Sequence, residues 1–242
     1  MKKIFTLLLA AGIAMAAHAE TLTVCDGTVE NAYAPMYGLY YDTQGTICQM
    51  IYPEDMLTEL QGATITKLTF FARDAFAFGE GTLQLGMGVI DQNAFESNVA
   101  VDGASPVATG APVDGETELV FTLDQPFTYE SGNLLVQTEV TKTASFKTAY
   151  FFGTSTTANN SLYQYKYSWS DTPNATAQAF LPKVEVEYTK DATAIQGMTA
   201  DKTVAGVRYY NMAGQQMRQP SGATIVVTTY TDGTTSTSKI VK

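Results

Sequence analysis

Histidine is nearly missing from this chain, its one copy being His18, close to the start. Tryptophan also occurs once, at Trp169, and cysteine only at Cys25 and Cys48. Basic residues are few, 14 against 24 acidic, for a formal charge of −10. Each shortage excludes something. With His18 in a segment read as removed, the usual Ser-His-Asp and Cys-His nucleophile arrangements have no base. Two cysteines without histidine leave the common zinc ligand sets incomplete. No cluster of Lys and Arg exists to neutralise phosphates, so nucleic acid and anionic lipid should be repelled. No segment after the first twenty residues is apolar enough to be expected to span a membrane.

The first residues read as a signal peptide over 1–19. Lys2 and Lys3 form a positive start, Ile4 to Ala14 is apolar, and Ala17-His18-Ala19 fits the small-x-small cleavage pattern. The apolar run is too short for a stable transmembrane helix. Removal of the segment leaves 12 of the 14 basic residues against all 24 acidic ones, a balance of −12. The remaining chain, about 220 residues, is long enough for one β domain with a small appendage. An oxidising export route permits a disulfide between Cys25 and Cys48, worth ~3 kcal/mol by the chain-entropy estimate. The alternative is two small buried hydrophobes.

Strand signals dominate what is present. Runs rich in β formers cover Thr21–Cys25, Thr46–Tyr52, Ala63–Ala72, Thr82–Ile90, Thr117–Leu123, Asn133–Val140, Ser145–Phe152, Ser161–Trp169 and Leu181–Tyr188. One or two helical turns are expected after Pro53, with the acidic pair Glu54 and Asp55 at the positive end. Clusters such as Asp102-Gly103-Ala104-Ser105-Pro106 and Asp171-Thr172-Pro173-Asn174 read as turns. Many short strands between turns predict an all-β antiparallel sandwich over 20–189, jelly-roll-like in connectivity, with a closed barrel as the competitor. A linker is expected over 190–202. Strands resume at Val204–Asn211, Gln215–Arg218, Ala223–Tyr230 and Thr234–Val241, forming a small β segment over 203–242. Asp232-Gly233 marks its last hairpin.

Two tyrosine-rich stretches are the candidate ligand-binding residues. Tyr163, Tyr165, Tyr167 and Trp169 recur at a spacing of two, so a strand presents them on one face. Such a row suits the apolar C–H faces of sugar rings, and it equally suits a core-facing strand. Tyr33, Tyr37, Tyr40 and Tyr41 lie around Pro35 in an irregular stretch that reads either as a recognition loop or as a cap on the core. Carboxylates such as Glu54, Asp55, Asp74, Glu80, Glu116 and Glu118 sit mostly beside Gly, Pro or Thr, with nothing to set a catalytic pair apart, so no enzyme is expected. No cofactor is expected either. A structural Ca²⁺ is the one metal weighed, on the loop acids Asp26, Asp42, Asp91 and Asp102, against ordinary solvated turns.

The tail carries a resemblance. Tyr210-Asn211-Met212-Ala213-Gly214-Gln215, then Pro220-Ser221-Gly222, Ile225-Val226-Val227 and a terminal Lys239-Ile240-Val241-Lys242 occur in that order. In this the tail resembles the C-terminal sorting domain of type IX secretion cargo. That resemblance gives Tyr210, Asn211, Gly214, Gln215, Pro220, Gly222, Lys239 and Lys242 as sorting residues. It implies outer-membrane secretion machinery as a partner and the outer cell surface or medium as the destination. The stretches Val24-Cys25-Asp26-Gly27-Thr28, Pro35-Met36-Tyr37-Gly38, Gln49-Met50-Ile51-Tyr52-Pro53, Gly62-Ala63-Thr64-Ile65-Thr66 and Phe180-Leu181-Pro182-Lys183 resemble an N-terminal β-sandwich of surface proteins from the same bacterial lineage. The expected function is non-enzymatic attachment or binding, to polysaccharide or a host surface protein. The alternative is a passive structural component of the cell surface.

Overall fold

A computed structural model describes residues 19–39, 45–166, 172–190, 204–231 and 233–241. The chain divides into two compact units, Met1–Ala194 and Ile195–Lys242. The described residues are all-β, with several antiparallel sheets and only two short 3₁₀ turns, Glu54–Met56 and Thr58–Leu60.

The strands of the first unit are β1 (Ala19–Val24), β2 (Val29–Asn31), β3 (Ile47–Tyr52), β4 (Ala63–Phe71), β5 (Thr82–Ile90), β6 (Ser105–Gly110) and β7 (Glu118–Tyr129). They continue as β8 (Asn133–Lys142), β9 (Phe151–Ser155), β10 (Ser161–Tyr165), β11 (Asn174–Gln178), β12 (Phe180–Pro182) and β13 (Val184–Thr189). A four-stranded sheet runs in the order β1-β13-β4-β7, and a six-stranded sheet in the order β11-β10-β3-β8-β5-β6. A third sheet, β12-β9-β2, is short.

Period-two patterning explains the pairing of the two large sheets. Ile65, Leu68 and Phe70 of β4, Leu119 and Phe121 of β7, and Val184, Val186 and Tyr188 of β13 share one core with Met50, Leu83, Leu85, Leu134 and Val136 of the six-stranded sheet. Phe70 meets Phe121 edge-on at 6.3 Å. The two largest buried tyrosines keep their hydroxyls paired: Tyr52 donates to the Pro182 carbonyl (2.9 Å) and Tyr129 to that of Gly132 (2.6 Å). A second, smaller core of Ile51, Leu135, Leu162 and Phe95 lies on the opposite face of the six-stranded sheet. Gln49 on that face is buried with both ends satisfied. Its amide donates to the Val101 carbonyl (2.6 Å) and to Gln137 Oε1 (2.7 Å), and its carbonyl accepts from Val101 N–H (2.9 Å).

Several expectations need correction. Residues 143–150 are irregular, and the strand expected over Ser145–Phe152 is instead β9, from Phe151. That stretch alternates like a strand, but its backbone is held by scattered bonds, from Ala144 N–H to the Leu39 carbonyl (2.7 Å) and from Arg73 N–H to the Tyr150 carbonyl (2.7 Å). Ser105 and Pro106, read as a turn, open β6. That strand is a sheet edge, where a proline's missing N–H costs no ladder bond. β7 runs to Tyr129, well past Leu123, through Pro126 on another edge strand. The disulfide is absent: Cys25 and Cys48 are both free. Cys48 lies within β3 and its thiol donates to the Tyr33 carbonyl (2.9 Å), while Cys25 follows β1 and abuts Met56, sulfur to sulfur at 4.0 Å.

The second unit is a four-stranded sheet of β14 (Val204–Asn211), β15 (Gln216–Met217), β16 (Ala223–Tyr230) and β17 (Thr235–Val241), in the order β15-β14-β16-β17. Thr224 alone is fully buried among its described residues, so this sheet holds little core. Residues 1–18 of the expected signal peptide and 191–202 of the expected linker lie outside the described residues.

Candidate functional site

The two tyrosine stretches meet. β10 pairs with β3 so that Tyr163 lies opposite Cys48, on the face that carries the main core. Asn31 organises the loop that follows β2: its side-chain carbonyl accepts from Tyr33 N–H (2.8 Å) and Ala34 N–H (3.1 Å), and its amide reaches Gln178 Oε1 (2.8 Å). The loop lays Tyr33 and Tyr37 against the strand. Tyr33 stacks on Tyr163 at 4.4 Å with an 18° interplanar angle. Tyr37 lies 4.9 Å from Tyr163, 5.3 Å from Tyr165 and 5.2 Å from Tyr33, and meets Phe146 edge-on at 6.5 Å. Tyr163 and Tyr165 are parallel to 2° at 6.2 Å.

These four tyrosines are half-buried, and Phe146 beside them is 44% exposed. The row on β10 therefore takes the core side of its sheet, where Tyr163 packs against the main core and other tyrosines add to its cover. Gly38 permits the approach of Phe146, since its φ of +58° is left-handed and an added Cβ would lie 2.9 Å from that ring. Of the other candidates, Tyr40, Tyr41, Tyr167 and Trp169 lie outside the described residues.

Three clefts were not foreseen. One of about 340 Å³ is lined by Cys25, Asp55, Asn93, Thr154 to Ala158 and Asn160. A neighbour of about 500 Å³ shares Pro53, Asp55 and Asn93 with it. Key polar side chains there are already engaged within the fold. Asn160 donates to the Asn93 carbonyl (2.8 Å), Thr156 to that of Ala158 (2.7 Å), and Asn133 accepts from Glu54 N–H (3.1 Å). The third, about 390 Å³, is lined by Asp26, Gly27, Thr28, Phe71, Ala72, Thr117, Phe152 and Lys183.

Burial and pairing shift several titratable groups among the described residues. Burial pushes the Cys25 thiol up to about 11 and the Cys48 thiol up to about 12. Glu139 is raised by burial, and Glu80 is lowered by its hydrogen bond and ion pair with Lys142. Among the described residues no three of His, Cys, Asp and Glu converge as a metal site would require. Asp26, weighed for calcium, instead pairs with Lys183 at 2.5 Å. No helix among the described residues is long and apolar enough to cross a membrane.

In the tail unit the quoted motif is a turn with a local cause for most of its residues. Asn211 Oδ1 accepts from Ala213 N–H (3.0 Å) and Gln215 N–H (2.9 Å), and its amide donates to Gln215 Oε1 (3.0 Å). Gly214 supplies a φ of +78°, and Gly222, after Pro220, one of +62°. Thr224 then bonds back to Ser221 N–H (3.2 Å). Tyr210 and Lys239 both lie opposite Ile225, which puts Gln216, Tyr210, Ile225 and Lys239 in one row across four strands. Lys242 lies outside the described residues.

No protein-family model, curated protein or solved structure matches the chain.

Proposed function

We propose that this is an exported, surface-associated binding protein without catalytic activity, whose first unit binds polysaccharide and whose tail is a secretion signal. The first unit is read as a jelly-roll sandwich. Setting aside β2, β9, β10, β11 and β12, eight strands remain, β1, β3, β4, β5, β6, β7, β8 and β13. Their orders, β1-β13-β4-β7 and β3-β8-β5-β6, support this reading, because a jelly roll of eight strands is expected to run first, eighth, third, sixth in one sheet and second, seventh, fourth, fifth in the other. The same architecture serves lectin domains, which makes binding a natural use of it but assigns no ligand.

The observation that carries the binding reading is the convergence of Tyr33, Tyr37, Tyr163 and Tyr165 into one half-exposed cluster. Aromatic rings that carry hydroxyls offer stacking and hydrogen bonding together. A titration with microbial and host polysaccharides, followed by aromatic fluorescence, tests it. A saturable response lost on Tyr163→Ala is expected. No response to any polysaccharide sinks it. The 4.4 Å stack of Tyr33 on Tyr163 favours the passive structural reading instead, because it engages ring faces a sugar would need.

The sorting reading has a separate test. Deletion of residues 203–242 should leave the protein in the periplasm, with the outer-membrane machinery no longer engaged. Normal surface delivery of the truncated chain would refute it.

A further inference from the structure

We propose that the cleft between Asp26 and Lys183 is a second saccharide-binding site, selective for neutral sugars. This rests on the polysaccharide reading above but uses none of the same residues. The ion pair of the site joins two stretches far apart in sequence. Cys25 takes a left-handed φ of 55° and Gly27 N–H bonds back to the Cys25 carbonyl (2.7 Å), a tight turn that carries Asp26 outward. Gly27 is needed for this, since a Cβ there would lie 2.3 Å from the Gly153 carbonyl oxygen on β9. Lys183 sits between β12 and β13, fixed by its N–H on the Phe152 carbonyl (2.7 Å). Its ammonium pairs with Asp26 at 2.5 Å and lies 5.0 Å from the centre of the Phe71 ring.

The chemistry of the lining selects the ligand. Phe71 and Phe152 are half-exposed and supply apolar walls, while Thr28 and Thr117, both exposed, add polar lining. Asp26 opposes an anion and Lys183 opposes a cation, and the pair sums to zero. A sugar hydroxyl both donates and accepts, so it serves the carboxylate and the ammonium without separating them. Its C–H face suits the phenylalanines. A volume of about 390 Å³ lies within the usual range for small-molecule sites, roughly 300–1,000 Å³. A zwitterionic amino acid matches the same charges only by splitting the 2.5 Å contact.

The test is a site-resolved NMR titration of the full chain, following backbone amides. The probes are neutral oligosaccharides of glucose, mannose, galactose, xylose and N-acetylglucosamine, with oligogalacturonate and glycylphenylalanine beside them. The expected result is saturable shifts at Gly27, Thr28, Thr117 and Phe152 with at least one neutral sugar. Asp26→Asn should raise Kd at least fivefold, and Phe152→Ala should abolish the shifts while the rest of the spectrum stays that of a folded chain. Sugar-induced shifts confined to Tyr33, Tyr37 and Tyr163 would overturn this site and leave the first reading standing. No shift with any sugar would overturn both. A cleft that answers only to oligogalacturonate or the dipeptide would overturn the ligand class.

Discussion

Gly153→Ala is the sharpest probe of how the first unit is held together. Gly153 lies in β9, where β12 and β2 flank it. An added Cβ would meet the Leu181 carbonyl oxygen at 2.1 Å, the Phe180 ring at 2.6 Å and Pro182 Cα at 2.8 Å. Two of these are backbone atoms, so no rotamer change relieves them. The strands must part by about 1 Å, which a close-packed interior does not absorb freely. Strain of this kind costs about 1–3 kcal/mol. Phe180 and Leu181, both buried, then lose part of their cover, and each is worth about 1.5–3 kcal/mol when fully buried. Half of that loss for the two residues together, added to the strain, gives an expected destabilisation of about 2.5–6 kcal/mol. Equilibrium urea unfolding by circular dichroism measures it. Gly62→Ala is the control, with a φ of +70° and nothing within 4 Å of the added carbon, so it carries the backbone cost alone, about 1–2 kcal/mol. A Gly153→Ala protein within about 0.5 kcal/mol of the parent, the range of neutral surface changes, would refute the three-stranded packing described here.

Three more outcomes follow from particular contacts. Gln49→Leu strands both Val101 backbone groups and the Gln137 carbonyl beneath the second core, and should cost about 2–4 kcal/mol in the same unfolding assay. Asn211→Ala removes three bonds from an exposed turn, so hydrogen exchange at Ala213 and Gln215 should quicken about fivefold, or ~1 kcal/mol. Burial holds Cys25 and Cys48 protonated up to about 11 and about 12. Unfolded thiols ionise near 8.5, so this contribution is intact below that pH and is lost as pH rises through the folded values. Tm should therefore fall between pH 9 and 11, and both thiols should resist alkylation at pH 8 until the chain is unfolded; a flat profile or rapid alkylation contradicts the burial.

The strands that the sequence made legible are runs of β formers bounded by turn signals. Thr82–Ile90, Val204–Asn211 and Ala223–Tyr230 fall where the pattern puts them. Residues 145–150 have the same pattern without the ladder, because alternation records a face and not a partner. β11 is the reverse case: Asn174–Gln178 has too little apolar content to announce a strand, and pairing with β10 supplies what composition does not. The aromatic stretches were each visible, and their meeting was not. It depends on the β10–β3 register and on the loop held by Asn31, neither of which is local. The Asp26–Lys183 pair is hidden for the same reason, since neither residue is unusual alone and the close approach of Gly27 to β9 brings them together.

In the tail, local geometry separates two kinds of motif residue. Asn211, Gly214 and Gly222 are accounted for by the turns they make, so a loss of secretion in Asn211→Ala would report folding as readily as recognition. Lys239 is different. It is exposed on β17, in the row with Tyr210, Ile225 and Gln216, and no turn depends on it. The sequence from 204 to the end carries Arg208, Arg218, Lys239 and Lys242 against Asp232 alone, in a chain that is otherwise strongly acidic. If a receptor reads this sheet, charge on that row is what distinguishes it from the rest of the protein. Lys239→Glu should then leave the stability of the tail within about 0.5 kcal/mol of the parent and cut surface delivery sharply. Cell fractionation together with hydrogen exchange of the purified variant decides the matter. Normal delivery with an intact sheet would remove this row from the signal and leave the turn as the feature that is read.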